Sequence, residues 1–241
     1  MSLGEEHLHE GLSFFIKTLL DSCRDEIVRI ILFGSQAKGS ADESSDVDVL
    51  VVHAGLEREV REKVAQASLE TMLRYHLPLE PLTMSFYEHR ADNPFVRELE
   101  ETGKSIFSID PSSEREIMAR DYYALAIEWL KYAKSAYERS ENRLAIDSSY
   151  NAAELAIKAL IVIKEESLAR SHGGILDQFG KLYILSNEVD REVGRQLHEA
   201  LILRNRARYD PRAALAKQDA SQTIAIAEKL IRLIELKIHG R

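Results

Sequence analysis

One stretch decides the reading: Leu32-Phe33-Gly34-Ser35-Gln36-Ala37-Lys38-Gly39-Ser40, resuming as Ser44-Ser45-Asp46-Val47-Asp48-Val49. The apolar run 27–33 reads as a buried β-strand that Gly34 stops. Gly34 has no side chain, so backbone there can come close to a ligand. A short helix beyond it would present free N–H groups and a positive dipole end, which suit a phosphate. Ser35 adds a hydroxyl and Lys38 a cation. Asp46 and Asp48 stand two apart at the start of a second strand, so both project from one face while Val47 points into the core. Two like charges held close repel unless a cation joins them. Oxygen donors of this kind suit Mg²⁺, which takes one or two carboxylates together with substrate phosphates. A phosphate cradle followed by such a pair points to two-metal phosphoryl or nucleotidyl transfer from a nucleoside triphosphate. Glu80, in Leu79-Glu80-Pro81-Leu82-Thr83-Met84, is the one acidic residue on the third expected strand. It is the candidate third metal ligand, or the base for the acceptor hydroxyl.

Working outward, residues 5–23 read as an amphipathic helix with Leu8, Leu12, Phe15 and Leu19 on one face. Strands are expected at 27–33, 47–52 and 79–85. A charged helix fits 56–75, with Val60, Val64, Ala67 and Met72 inward. Asn93-Pro94 starts a further helix, with proline at its first position. That helix ends at Gly103, and a short strand fits 105–108. Beyond Ser108-Ile109-Asp110-Pro111-Ser112-Ser113 the strand signal stops. Helices are expected at 113–139, 143–166, 174–187, 190–208 and 217–238. The fold class is therefore α+β: an N-terminal α/β domain with a short mixed sheet over 1–110, then an all-α antiparallel bundle over 111–241.

Charge divides at the same place. The 241 residues hold 40 acidic and 32 basic side chains, a net charge of −8. Residues 1–110 carry 21 acidic and 11 basic residues, a net of −10, and residues 111–241 a net of +2. The acidic half excludes broad coating of nucleic acid, whereas the second half leaves RNA possible. The single Cys23 excludes an internal disulfide and a cysteine zinc site. No apolar run is long enough to span a bilayer, and the N-terminus lacks the order of a signal peptide, so a cytoplasmic protein without a membrane partner is expected.

Gly34-Ser35, ten residues, then Asp46-Val47-Asp48 resembles the signature of the DNA polymerase β-like nucleotidyltransferase superfamily. More narrowly it resembles the minimal nucleotidyltransferases, which include relatives of kanamycin nucleotidyltransferase. The segment Asn93-Pro94-Phe95, with Glu101-Thr102-Gly103-Lys104-Ser105-Ile106-Phe107, is similar to that family's closing helix and strand. Lys38 stands where the family often has Arg, and Glu80 where many members have Asp. The second half resembles the HEPN domain through Ala152–Leu160, His172-Gly173-Gly174-Ile175 and Leu203-Arg204-Asn205-Arg206-Ala207-Arg208-Tyr209-Asp210-Pro211. Many HEPN toxins are metal-independent ribonucleases with an Arg followed by His and then Tyr. Here Arg204 and Tyr209 remain, Arg208 stands where that His is expected, and no histidine follows until His239.

The resemblance implies an enzyme that transfers NMP from a Mg²⁺–NTP, with ATP as the expected nucleotide, to a hydroxyl acceptor. Asp46, Asp48 and Glu80 would be catalytic and hold metal; Gly34, Ser35 and Lys38 would hold the triphosphate. The bundle would contribute acceptor binding or a homodimer contact. Two alternatives stay open. The chain is a fused toxin–antitoxin-type protein that nucleotidylates itself or a partner, with Tyr209 as a target, or a nucleotide-binding module without turnover. Arg204 and Arg208 share a helix face and fit either a phosphate or RNA contact, or a solvated basic helix end.

Overall fold

The computed structural model describes residues 3–38, 46–90, 94–165 and 167–239. Gly39, Ser40, Ser44, Ser45 and Asn93, which figure in the sequence reading, lie outside the described residues. The chain divides into two compact units, Met1–Asp110 and Pro111–Arg241.

The first unit begins with α1 (Leu3–Cys23), a 3₁₀ turn at Arg24–Glu26, β1 (Ile27–Leu32) and the five-residue α2 (Gly34–Lys38). There follow β2 (Val47–His53), α3 (Glu57–Tyr75), β3 (Leu79–Ser85), α4 (Phe86–Arg90), α5 (Pro94–Thr102) and β4 (Lys104–Ser108). The four strands form one sheet in the order β3-β2-β1-β4. β1 runs antiparallel to β2 and β4, and β2 runs parallel to β3 across the α3 crossover. Leu12, Phe15 and Leu19 of α1 and Val60, Val64 and Ala67 of α3 cover one sheet face, packing on Leu32, Val47, Val49 and Val51. Leu50 and Val52, which alternate to the other face, are fully buried as well. β2 is thus covered on both sides and reads as an unbroken apolar run.

One inward position differs from expectation. The 60–64–67 spacing continues to Thr71, which is buried and bonds back to Ala67 O at 2.8 Å, while Met72 is exposed. A 3.6-residue period carries that stripe to 71 rather than 72. The expected short helix after Gly34 forms; α4 had no periodic signal in its five residues.

The second unit contains α6 (Pro111–Glu138), α7 (Asn142–Lys164), α8 (His172–Phe179), a π-helical turn (Gly180–Ile184), α9 (Arg191–Tyr209) and α10 (Lys217–His239). α7 is the central helix and packs against α6, α8, α9 and α10. Ala126, Ala133 and Ala136 of α6 and Ala145, Ala152, Ala153, Ala156 and Ala159 of α7 are all buried. Side chains that small let helix axes approach closely, which keeps a bundle tight with few large residues. The turn 139–141 is short enough to make α6 and α7 antiparallel neighbours.

Candidate active site

The hairpin between β1 and β2 assembles the first part of the site. Leu32 pairs with Val49, and the ladder extends one residue further as Phe33 N donates to Asp48 O at 3.0 Å. The chain then turns through Gly34 at φ +69°, a left-handed conformation that favours glycine. The Asp48 carboxylate lies directly on this glycine: a Cβ added at Gly34 would stand 2.9 Å from Asp48 Cγ and collide with Oδ2. The tight approach, not the turn alone, requires glycine here.

The parallel pairing of β2 and β3 adds the second part. Val47 pairs with Leu79 and Asp48 with Glu80. Val47 and Leu79 are buried together, so alternation turns Asp48 and Glu80 to the opposite face, side by side. Asp46 sits just before β2 and is exposed; Val47 N donates to Pro78 O at 2.9 Å and ties this entry to β3. Gly34, Asp48 and Glu80 therefore meet at one end of the sheet. Ser35 is half-buried in α2, which Ala37 anchors to the core. Lys38 is exposed and donates to Glu98 of α5 at 3.4 Å, a partner the sequence reading did not foresee.

The donor set consists of hard carboxylate oxygens, the chemistry Mg²⁺ prefers when phosphates complete its shell. It is not a ready-made cage. Among the described residues no group of three or more His, Cys, Asp or Glu side chains stands close enough to hold a metal ion unaided.

The second unit carries a separate polar cluster. Arg204 of α9 is 3% exposed, and its Nη2 donates to His172 Nε2 at 3.2 Å. That bond leaves the imidazole proton on Nδ1, which donates to Glu154 of α7. Lys158 bonds the other Glu154 oxygen at 2.8 Å. Burial alone would raise the Glu154 carboxyl, but the bonds from Lys158 and His172 outweigh it and hold the group below the usual range. Asp147 pairs with Arg208 at 2.8 Å, and its other oxygen stands 3.6 Å from Arg204 Nε, too far for a hydrogen bond. Burial, then the Glu154 charge, pushes the Tyr150 phenol far above its ordinary range. Tyr209, 69% exposed, lies with its ring centroid 5.8 Å from the Arg204 guanidinium. Sequence order hides this cluster, because His172 lies 32 residues before Arg204, whereas the motif expects its histidine after the arginine.

Comparison with known proteins agrees with both halves. Residues 16–112 match the family described as "Polymerase beta, Nucleotidyltransferase", and residues 119–237 match the HEPN domain. A Methanocaldococcus jannaschii protein named "Putative protein adenylyltransferase" is 30% identical over 98 residues, 40% of this chain and 96% of the relative. A second of that name from the same organism is 37% identical over 83 residues, 33% of this chain and 56% of the relative. A third, named "Putative toxin", is 31% identical over 98 residues, 38% of this chain and 66% of the relative. Among solved structures, a spectinomycin adenyltransferase from Enterococcus faecialis, crystallised with ATP and spectinomycin, aligns over 92% of this chain and 98% of its own. Its sequence identity is 12% and its TM-score 0.31. The chain belongs to the polymerase β-type nucleotidyltransferases, with a HEPN domain as its second half. No described helix is long and apolar enough to cross a membrane.

Proposed function

We propose that the first unit transfers AMP from Mg²⁺–ATP to a hydroxyl acceptor and releases pyrophosphate. The observation that supports this best is the packing of the Asp48 carboxylate on Gly34, in register with Glu80. It brings a side-chain-free backbone for phosphates and two carboxylates to one place. Gly34 and Ser35 receive the triphosphate at the start of α2, and Lys38 supplies a cation to it. Asp46, Asp48 and Glu80 would hold the magnesium, which when bound supplies charge neutralisation at the phosphates and a more acidic acceptor hydroxyl. Glu80, exposed on the edge strand β3, has the chemistry either of the third ligand or of the base for the acceptor hydroxyl. The HEPN half binds the acceptor or a second copy of the chain. Asp48→Asn should abolish transfer of label from α-labelled ATP while circular dichroism and thermal unfolding stay near wild type. Full activity in that variant would refute the assignment.

A second reading concerns the acceptor. Tyr209 is a solvent-facing phenol beside a buried arginine, and two relatives carry the name protein adenylyltransferase. On this reading the acceptor is a protein tyrosine, Tyr209 of this chain or of another copy. Mass spectrometry after incubation with ATP and Mg²⁺ should then find an AMP adduct on Tyr209 that is missing in Tyr209→Phe. Robust transfer to a small molecule with no adduct would favour a soluble acceptor. ATP binding without pyrophosphate release would leave a binding module.

A further inference from the structure

We propose that Glu98 is a counter-charge that competes with bound nucleotide for Lys38, and so sets the affinity of the first unit for triphosphate. The inference rests on the nucleotidyltransferase reading above and adds a residue outside the signature that carries it. α5 is held firmly beside the end of β1. Val96 and Leu99 are buried. A Cβ added at Gly103 would stand 2.7 Å from Ile31 Cγ2 and 3.4 Å from Leu32 O, so the turn leaving α5 lies against the last residues of that strand. Phe95 meets Phe33 edge-on, with ring centroids 6.0 Å apart and planes at 86°. Three residues on, and hence on the same helix face, Glu98 accepts from Lys38 Nζ at 3.4 Å. The helix thus presents one aromatic and one carboxylate to the segment that leads through Gly34 into α2.

Lys38 and Glu98 are exposed at 48% and 65%. An ammonium on a flexible stem can swing between partners. When a triphosphate occupies α2, Lys38 must leave Glu98 or share its charge. That competition weakens nucleotide binding, and it vanishes when Glu98 is neutral. The pair is solvent-screened, so the effect is roughly two- to fivefold, the range exposed ion pairs span.

The test is calorimetric titration of the full chain with Mg²⁺ and α,β-methylene ATP, a triphosphate that cannot give up its NMP. Glu98→Gln should lower Kd two- to fivefold. Glu100→Gln, two residues on and turned to another side of the helix, should leave Kd unchanged. Lys38→Gln should raise Kd, and in that background Glu98→Gln should no longer tighten binding. An unchanged Kd in Glu98→Gln, equal tightening by Glu100→Gln, or a Glu98 effect that survives loss of Lys38 each overturns the inference. Wild-type chain that does not bind the analogue overturns the nucleotide reading itself and this inference with it. Wild type that binds, with Glu98→Gln indistinguishable, overturns this inference alone.

Discussion

Substituting Gly34 with alanine separates backbone strain from displacement of a functional carboxylate. At φ +69° a residue with a Cβ bears strain of about 1–3 kcal/mol. The new methyl also meets Asp48, at 2.9 Å from Cγ and 1.9 Å from Oδ2, so that oxygen has to move by about 1 Å. The strain alone should lower the melting temperature of the first unit by several degrees, since about 1 kcal/mol shifts a domain of this size by roughly 4–8 °C. The movement should cost far more in activity than in stability, because a misplacement of about 1 Å can reduce rate by roughly 10²-fold. Gly173→Ala is the control: nothing lies within 4 Å of an added Cβ, and alanine is the better helix former. It should be neutral or slightly stabilising and fully active. The assay is transfer of label from α-labelled ATP with parallel thermal unfolding, and the unfolding measurement is repeated in an Asp48→Ala background. There the collision is absent, so Gly34→Ala should cost only its backbone strain. An unfolding cost that is the same with and without the Asp48 carboxylate would refute the argument that the two groups are pressed together. So would Gly34→Ala activity within a few-fold of wild type.

Arg204→Ala should destabilise the helical unit by about 2 kcal/mol, because His172 Nε2 loses its donor and a buried side chain is removed; urea unfolding reads this directly, and a change below 1 kcal/mol would show the cluster to be solvated. Glu188, bonded by Lys164 and Lys237, has its carboxyl pulled down to about 2 from an ordinary 4.5. A depressed folded value means its contribution is complete above the unfolded pKa and is lost as pH falls from 4.5 toward 2. The side chain is 36% exposed, so solvent screening holds the contribution to about 1 kcal/mol. Glu188→Gln should therefore flatten the acid limb of the stability curve in that window, and an unaltered limb would count against the bridge. Glu154→Gln should likewise remove stability that is present above the ordinary carboxyl range and lost below it, since Glu154 is held low by Lys158 and His172 against burial.

The two halves differ in what their sequences disclose, and the reason is distance along the chain. In the first unit the strand, the glycine stop and the two carboxylates fall within twenty-two residues, 27–48, so local pattern alone names Gly34 and Asp48 as parts of one site. The 3.6-residue stripe on α1 and α3 and the period-2 pattern on β2 are likewise local. What local pattern does not contain is register between strands that are not joined by a tight turn. Glu80 could be named as the acid of the third strand, but its pairing with Asp48 depends on how α3 returns the chain to β2. The Lys38–Glu98 pair is hidden for the same reason, sixty residues apart on elements whose contact depends on Gly103 and Phe95.

The helical unit shows the same limit more sharply. Forward along α9 from Arg204 the motif contains Arg208 and Tyr209, and residues one turn apart share a face. The imidazole that touches Arg204 comes instead from the first residue of α8, and the carboxylate that holds it comes from the middle of α7. Three helices of a bundle meet there, and no window along the chain contains more than one of the three residues. A histidine absent from the expected position in sequence is therefore no measure of whether an imidazole is present in the site. The partner of Arg204 is set by helix packing, through the buried alanines that let α7 lie close to its neighbours. Any change that shifts α7 against α8 should disturb the Arg204 contact without touching a residue of the motif.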